Sequence, residues 1–353
     1  MVIRSNKKAI QEYIESSALN QSKLKLLSIS AQAFQEVREP DLFFEEKEHF
    51  LIGKAVDDVI TMGEDYWNDN YYISNITKPS DTIMSIIQQV FQSRTSDSLF
   101  ENDLLSAIEA HNYQPNWKID TKIAKVSTEG EVYWHELVQS EGKTILDKDQ
   151  YMKCVSIVNQ LQEHRFTRDY FIADAKYNHD IHYQVPIHFY VDEVECKALL
   201  DMVIVDHMYK TIIPIDIKTM GDYTKFFDYQ ALRRRYDIQA SWYMKALQQW
   251  KEDNNMQDYA IHEFRFIVAS TTKQCDPLIY LCSQEFINAG EFGSSRLRAI
   301  KVSNTTYESE LYSYGWRKLL YIYKWHQENG WDKDYEIEMN NGIFTIGSDY
   351  QKY

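Results

Sequence analysis

From about residue 183 onward, apolar and polar positions follow the short periods of β-strands; before it, apolar positions recur mostly at helical spacing. VPIHFYVDEV, ECKALLDMVIVD, KTIIPIDIKTM, HEFRFIVAST and PLIYLCS are five short apolar runs with strand character. Between the third and the fourth lies one long helical segment, ALRRRYDIQASWYMKALQQWKEDN. Strands, a crossover helix and more strands predict an α/β (α+β) fold on a central mixed sheet of about five strands flanked by helices.

The first half supplies those helices. LNQSKLKLLSISAQAFQEV offers Asn20 or Ser22 as an N-cap, and HFLIGKAVDDVITMG places Ile52, Val56, Val59 and Ile60 on one side of a helix. From about residue 80 to 175 the pattern stays helical and polar, with KIAKVSTEGEVYW expected as a hairpin-like interruption. The chain has no internal repeat, no low-complexity tract, and only 6 Pro and 11 Gly at which to break. The expectation is one domain over 1–353, with a mainly helical insertion at about 80–175 and the core sheet at about 183–285.

Composition narrows the class. An apolar fraction of 44% can build a sizeable core, and 26 Tyr with 8 Trp exceed what a core alone absorbs. No apolar run approaches membrane-crossing length and the N-terminal stretch lacks a signal-peptide core, so a cytoplasmic protein is expected. Cys154, Cys196, Cys275 and Cys282 are far apart and form no CxxC pair, which suggests reduced structural thiols. A net charge of −15 argues against a protein that coats nucleic acid with its whole surface. A local grip needs a concentrated basic patch, and Arg233, Arg234 and Arg235 are the densest one; alone, such a run is more often a solvated face than a ligand site.

The candidate chemistry centres on PIDIKTMG. Asp216 and Lys218 are two apart and share one face of a strand, whereas Ile215 and Ile217 point the other way. If the preceding run pairs with it through a turn around His207 to Lys210, Asp201 lies beside Asp216. Two carboxylates side by side repel unless a cation joins them, which predicts a hard divalent ion held by oxygen. Lys218 on the same face then suits metal-assisted phosphodiester hydrolysis. The bland alternative is that each charge caps or edges a strand and faces water. Upstream, Gly53 and Asp57 share a helix face; a mid-helix glycine suggests close packing, and Asp57, in preference to Asp58, is placed to reach the sheet. Gln239 and Tyr243 are likewise i and i+4 on the crossover helix, a weak signal by itself.

Taken in order, GKAVD, ALLD, IDIK and QASWY resemble the RecB-type branch of the PD-(D/E)XK nuclease superfamily, most similar to phage-type exonucleases related to exonuclease VIII. The resemblance spans about residues 20 to 300. It implies a restriction-endonuclease-like core with an N-terminal helical region. It also implies Asp201, Asp216 and the Ile217 carbonyl as metal ligands, Lys218 as the catalytic lysine, and Gln239 and Tyr243 as the supporting helical motif. Asp57 falls where many relatives carry histidine, and an oxygen ligand there suits Mg²⁺ or Mn²⁺. Some relatives hold an iron–sulfur cluster through one early and three late cysteines; with no cysteine before Cys154, none is expected here. The implied activity is exonucleolytic hydrolysis at duplex DNA ends, with Arg233 to Arg235 on a terminal phosphate. A ring-shaped homo-oligomer, a single-strand annealing partner and phage-type recombination in a bacterial cytoplasm are implied in the same way. The alternatives are an endonuclease or flap nuclease of the same fold, and a catalytically silent nuclease fold that binds DNA or protein.

Overall fold

The computed structural model describes residues 1–36, 48–99, 101–140, 142–173, 178–272, 276–302 and 305–343. Its strands are β1 (Val2–Arg4), β2 (Tyr71–Ser74), β3 (Thr144–Asp147), β4 (His179–Val191), β5 (Val194–Asp206), β6 (Thr211–Met220), β7 (Ala260–Ile261), β8 (Arg265–Ser270), β9 (Leu278–Leu281), β10 (Gly293–Val302) and β11 (Thr305–Tyr314). The chain divides into two compact units, Met1–Met62 with Ser156–Tyr353, and Gly63–Val155.

The first unit is a mixed α/β structure. Its sheet runs β1-β4-β5-β6-β8-β9, with β7 also paired to β6. The five expected strands are β4, β5, β6, β8 and β9; the two additional ones, β1 and β7, are three and two residues long, too short to carry a period. The β4–β5 hairpin closes on Asp192 and Glu193, whose φ of 46° and 69° are the two left-handed residues of a tight two-residue turn. β6 and β8 are parallel, which requires a crossover, and the helix Tyr236–Asp253 provides it.

That helix turns Ile238, Trp242, Ala246 and Leu247 into the core against Val185, Ile187, Phe189 and Val203 of the sheet. Trp242 meets Phe189 and Trp316 edge-on, at 5.2 and 5.5 Å between ring centroids. Among the N-terminal helices, Gln21–Lys25 is capped by Asn20, whose side chain accepts from the Lys23 N–H. In the helix Glu48–Thr61, Ile52, Val56 and Ile60 of the apolar stripe are buried and Val59 is half-buried.

The second unit packs the helices Asp81–Gln92, Glu101–Ala110 and Ile119–Ser140 around Ile83, Ile86, Leu104, Val126 and Trp134, with β2 and β3 as a parallel pair. KIAKVSTEGEVYW is not a hairpin: it lies wholly within the helix Ile119–Ser140. Its Gly130 is there for space rather than for a turn, since a Cβ at that position would come within 2.6 Å of the Ile87 side chain. No helix among the described residues is long and apolar enough to cross a membrane.

Candidate active site

β5 and β6 are antiparallel, and their register ends with Met202 opposite Ile215. One step further along the same register sets Asp201 opposite Asp216. There the ladder stops, and the Asp201 carboxylate accepts the Ile217 N–H at 3.0 Å. The side-by-side arrangement of the two acids therefore follows from hairpin register, with the turn at His207–Lys210 fixing it.

Asp216 does not sit on a wetted edge, and Asp201 beside it is half-buried. Asp216 is fully buried, as is Ile215, and Ile217 is 7% exposed, so both faces of β6 are covered at this level. The helix Tyr236–Asp253 brings Gln239 against Asp216, where its amide donates to Oδ1 at 2.7 Å. The same Nε2 lies 3.4 Å from the Tyr243 hydroxyl one turn on. Asp216 Oδ2 is 2.6 Å from the Lys218 ammonium, which also stands 5.1 Å from the centre of the Tyr236 ring.

Asp57 joins from the helix Glu48–Thr61. That helix approaches closely because residue 53 has no side chain: a Cβ at Gly53 would fall 2.7 Å from the Thr219 hydroxyl of β6. Asp57 Oδ2 accepts from the Gln184 amide at 3.2 Å, and its Oδ1 is buried with no hydrogen-bond partner among the described residues.

The electrostatics show that these groups feel one another. Burial, then Asp58 and Asp216, push Asp57 up to about 7, against smaller opposing effects of Lys218 and the Gln184 hydrogen bond. Burial, Asp216 and Asp57 hold Asp201 well above the ordinary carboxylate range, although Lys218 and the Ile217 N–H pull the other way. Asp216 is raised by burial, with Lys218, Lys25 and a hydrogen bond from Asp201 opposing. Burial alone would lower Lys218, but Asp216, Tyr236 and Asp201 outweigh it and hold its proton firmly. Tyr243 is raised by burial and by the fields of Asp216 and Asp201. Three acids gathered around the Lys218 ammonium, with Lys25 acting from farther off, crowd negative charge together, which is why all three carboxyls are held above their ordinary range and why a further cation would relieve them.

The donor chemistry fits a hard divalent cation, being all oxygen and carrying an orphaned carboxylate atom on Asp57. The acids are nevertheless held by protein partners, and among the described residues no group of three or more His, Cys, Asp or Glu side chains is assembled to hold a metal ion.

The arginine run divides. Arg235 has a left-handed backbone, φ 53°, at the cap of the helix Tyr236–Asp253, and its guanidinium grips the buried Asp237 through contacts of 2.9 to 3.2 Å. It is committed inside the protein. Arg233 and Arg234 are exposed, with the Arg234 guanidinium 5.4 Å from the Phe50 ring centre. Cys154, Cys196 and Cys282 are buried and outside any disulfide, their thiols pushed by burial to about 11, 12 and 12; Cys275 lies outside the described residues.

Three participants are not legible in the sequence. Lys25 is lowered to about 7 by burial and by Lys218, Arg235 and Arg234, against the pull of Asp237, and its ammonium is 3.3 Å from the Arg234 carbonyl. Tyr236 lies beside Lys218. Gln184 lies opposite Asp201 and touches Asp57. Only Gln184 left a trace, as a lone amide inside the apolar run of β4.

No protein-family model matches the chain, and no curated protein matches it significantly. Among solved structures, a crystal structure named "putative exonuclease" from Eubacterium rectale is similar at 13% identity, over 72% of this chain and 80% of that one, with a TM-score of 0.30. A likeness that weak carries no weight for function.

Proposed function

We propose that this chain is a metal-dependent nuclease that hydrolyses phosphodiester bonds in DNA, with duplex ends as its substrate. One observation carries the reading: Asp201, Asp216, Lys218, Gln239 and Asp57, drawn from one hairpin and two helices, converge on one over-charged cluster around the buried Asp216. Structural ion pairs balance their charges, whereas this cluster leaves carboxylates facing one another, as cation-dependent sites do.

Mg²⁺ or Mn²⁺ would be held by Asp201 and Asp216, joined by Asp57 and the Ile217 carbonyl, and when bound would supply Lewis acidity at the phosphoryl oxygen. The protein's own groups have separable tasks. Lys218 holds its proton too firmly to serve as a base, so its ammonium opposes the negative charge that develops on the phosphate. Gln239 spends its amide on Asp216 Oδ1, which leaves Oδ2 toward Lys218 and keeps both groups from rotating. Tyr243 stays neutral behind Gln239 and adds no charge to the cluster. Arg233 and Arg234 are placed to meet the DNA backbone, and Arg235 shapes the turn that presents them.

The test is digestion of end-labelled linear duplex with Mg²⁺, beside a closed circular duplex. Wild type is expected to release label from the linear substrate and leave the circle intact. Asp216→Ala and Lys218→Ala are expected to lose about a hundred- to a thousand-fold in rate. Equal digestion by all three overturns the assignment, and cutting of the circle by wild type, but not by Asp216→Ala, converts it to an endonuclease.

A further inference from the structure

We propose that Gln184 is a positioning residue of this site: it holds the Asp57 carboxylate so that one oxygen is fixed and the other stays available to a cation shared with Asp201 and Asp216. The inference rests on the nuclease reading above for the cation, and on local geometry for everything else.

Gln184 interrupts β4 in an unusual way. It has φ of 48° in the interior of a 13-residue strand, a left-handed conformation that a non-glycine residue seldom adopts there. The β4–β5 register runs from Tyr183 opposite Met202 to Val185 opposite Leu200, passing over Gln184 and Asp201. Strained backbone of this kind persists only where its surroundings over-determine it, and it clusters at functional sites. Here the twist sits directly opposite one of the two strand acids.

The side chain explains what holds it. Gln184 is 9% exposed, and its Nε2 donates to Asp57 Oδ2 at 3.2 Å and to the Thr61 hydroxyl oxygen at 3.0 Å. The Thr61 hydroxyl donates its own proton to the Asp57 backbone carbonyl at 2.8 Å, so toward Gln184 it can only accept. The amide must therefore present its NH₂ end to Thr61, which fixes its orientation chemically and turns the same nitrogen toward Asp57 Oδ2. Asp57 and Thr61 are i and i+4 on one helix, so a single amide clamps a helical turn and the acid together.

The consequence is an asymmetric carboxylate. Oδ2 is held, while Oδ1 is buried without a partner among the described residues. Glutamate at 184 would set a third acceptor against two others, and a shorter side chain would not reach. Glutamine meets the requirement for a neutral double donor of this length.

The experiment uses the full chain and the variant Gln184→Met, which keeps the length and removes both donors, with Asp57→Ala and the double variant. Three quantities are read: the position of the Asp57 carboxyl in crystals of metal-free wild type and Gln184→Met, Mn²⁺ affinity by paramagnetic resonance of free Mn²⁺, and Mg²⁺-supported digestion of end-labelled duplex. We expect the Asp57 carboxyl to leave its place beside residue 184 in the variant, and Mn²⁺ affinity to fall about tenfold, the size typical of outer-shell partners. In the Asp57→Ala background the same substitution is expected to change Mn²⁺ affinity less than twofold, because its effect runs through Asp57. An Asp57 carboxyl that stays put, or an equal loss of affinity in both backgrounds, overturns the role assigned to Gln184. A wild-type chain that neither binds Mn²⁺ nor digests the duplex overturns the nuclease reading instead, and the Gln184 clamp is then decided by the Asp57 position alone.

Discussion

β5 carries two charges four residues apart, Lys197 fully buried and Asp201 half-buried, and the protein treats them in opposite ways. Lys197 is fully buried, but its ammonium donates to the carbonyls of Tyr13 and Ser16 at 3.1 and 2.7 Å, at the carboxyl end of the helix Lys7–Glu15. Neutral dipoles satisfy it, and the negative end of a helix favours it. Asp201, on the same face by the two-residue period, looks instead at Asp216 and Asp57, two further acids. The buried charge is settled by its surroundings; the half-buried one is left in competition. Burial of a charge therefore says little about function, whereas like charges gathered at one place say a good deal.

That contrast can be broken experimentally. The largest expected effect is the loss of DNA hydrolysis in Asp216→Ala and Lys218→Ala described above, and Lys197→Met should leave hydrolysis per folded molecule unchanged. Next in size is stability. Lys197→Met strips two part-buried carbonyls of their donor and is expected to cost about 1–3 kcal/mol by denaturant unfolding. Asp201→Asn should do the reverse: its amide oxygen can still accept the Ile217 N–H, the repulsion is relieved, and stability should rise by about 1 kcal/mol while hydrolysis is lost. Destabilisation by Asp201→Asn would show that the acids are structural.

The pH dependence follows with its sign. Asp57 moves from an ordinary 3.8 to about 7 in the folded protein, and Asp201 and Asp216 move in the same direction. The native state thus binds more protons than the unfolded chain, so this stabilisation is complete below the ordinary value and is lost as pH rises through 7. The metal-free protein should melt higher at pH 5 than at pH 7.5, and saturating Mn²⁺ should shrink that difference. A melting temperature that climbs across this range in EDTA contradicts the cluster. The smallest effect is at Gly53: Gly53→Ala gains helix propensity but meets the Thr219 hydroxyl, so a net change within about 1 kcal/mol is expected, and adding Thr219→Ala should turn it favourable.

Much of this was legible beforehand because it rests on short periods. The i, i+2 spacing of Asp216 and Lys218 and the i, i+4 spacing of Gln239 and Tyr243 are set by backbone geometry wherever a strand or a helix forms. The five longer strands and the crossover helix were visible for the same reason. The misreadings have a common cause. Gly130 resembles a turn until Ile87 is found in the space of its Cβ, and Arg235 resembles its two neighbours until Asp237 is found to hold it. In both cases the deciding partner is contributed by three-dimensional packing or by the local path of the backbone, which residue type does not report.

The sequence by itself determined which residues could carry the chemistry, because periodicity sets which side chains share a face and apolar runs set which strands are buried. Only the tertiary structure decided that Asp201 lies opposite Asp216, that Gln184 takes a left-handed turn to reach Asp57, and that Lys25 comes near Lys218. Those outcomes depend on hairpin register and on how closely a glycine lets one helix approach a strand. Such approaches join residues more than a hundred positions apart, beyond the range of any local pattern.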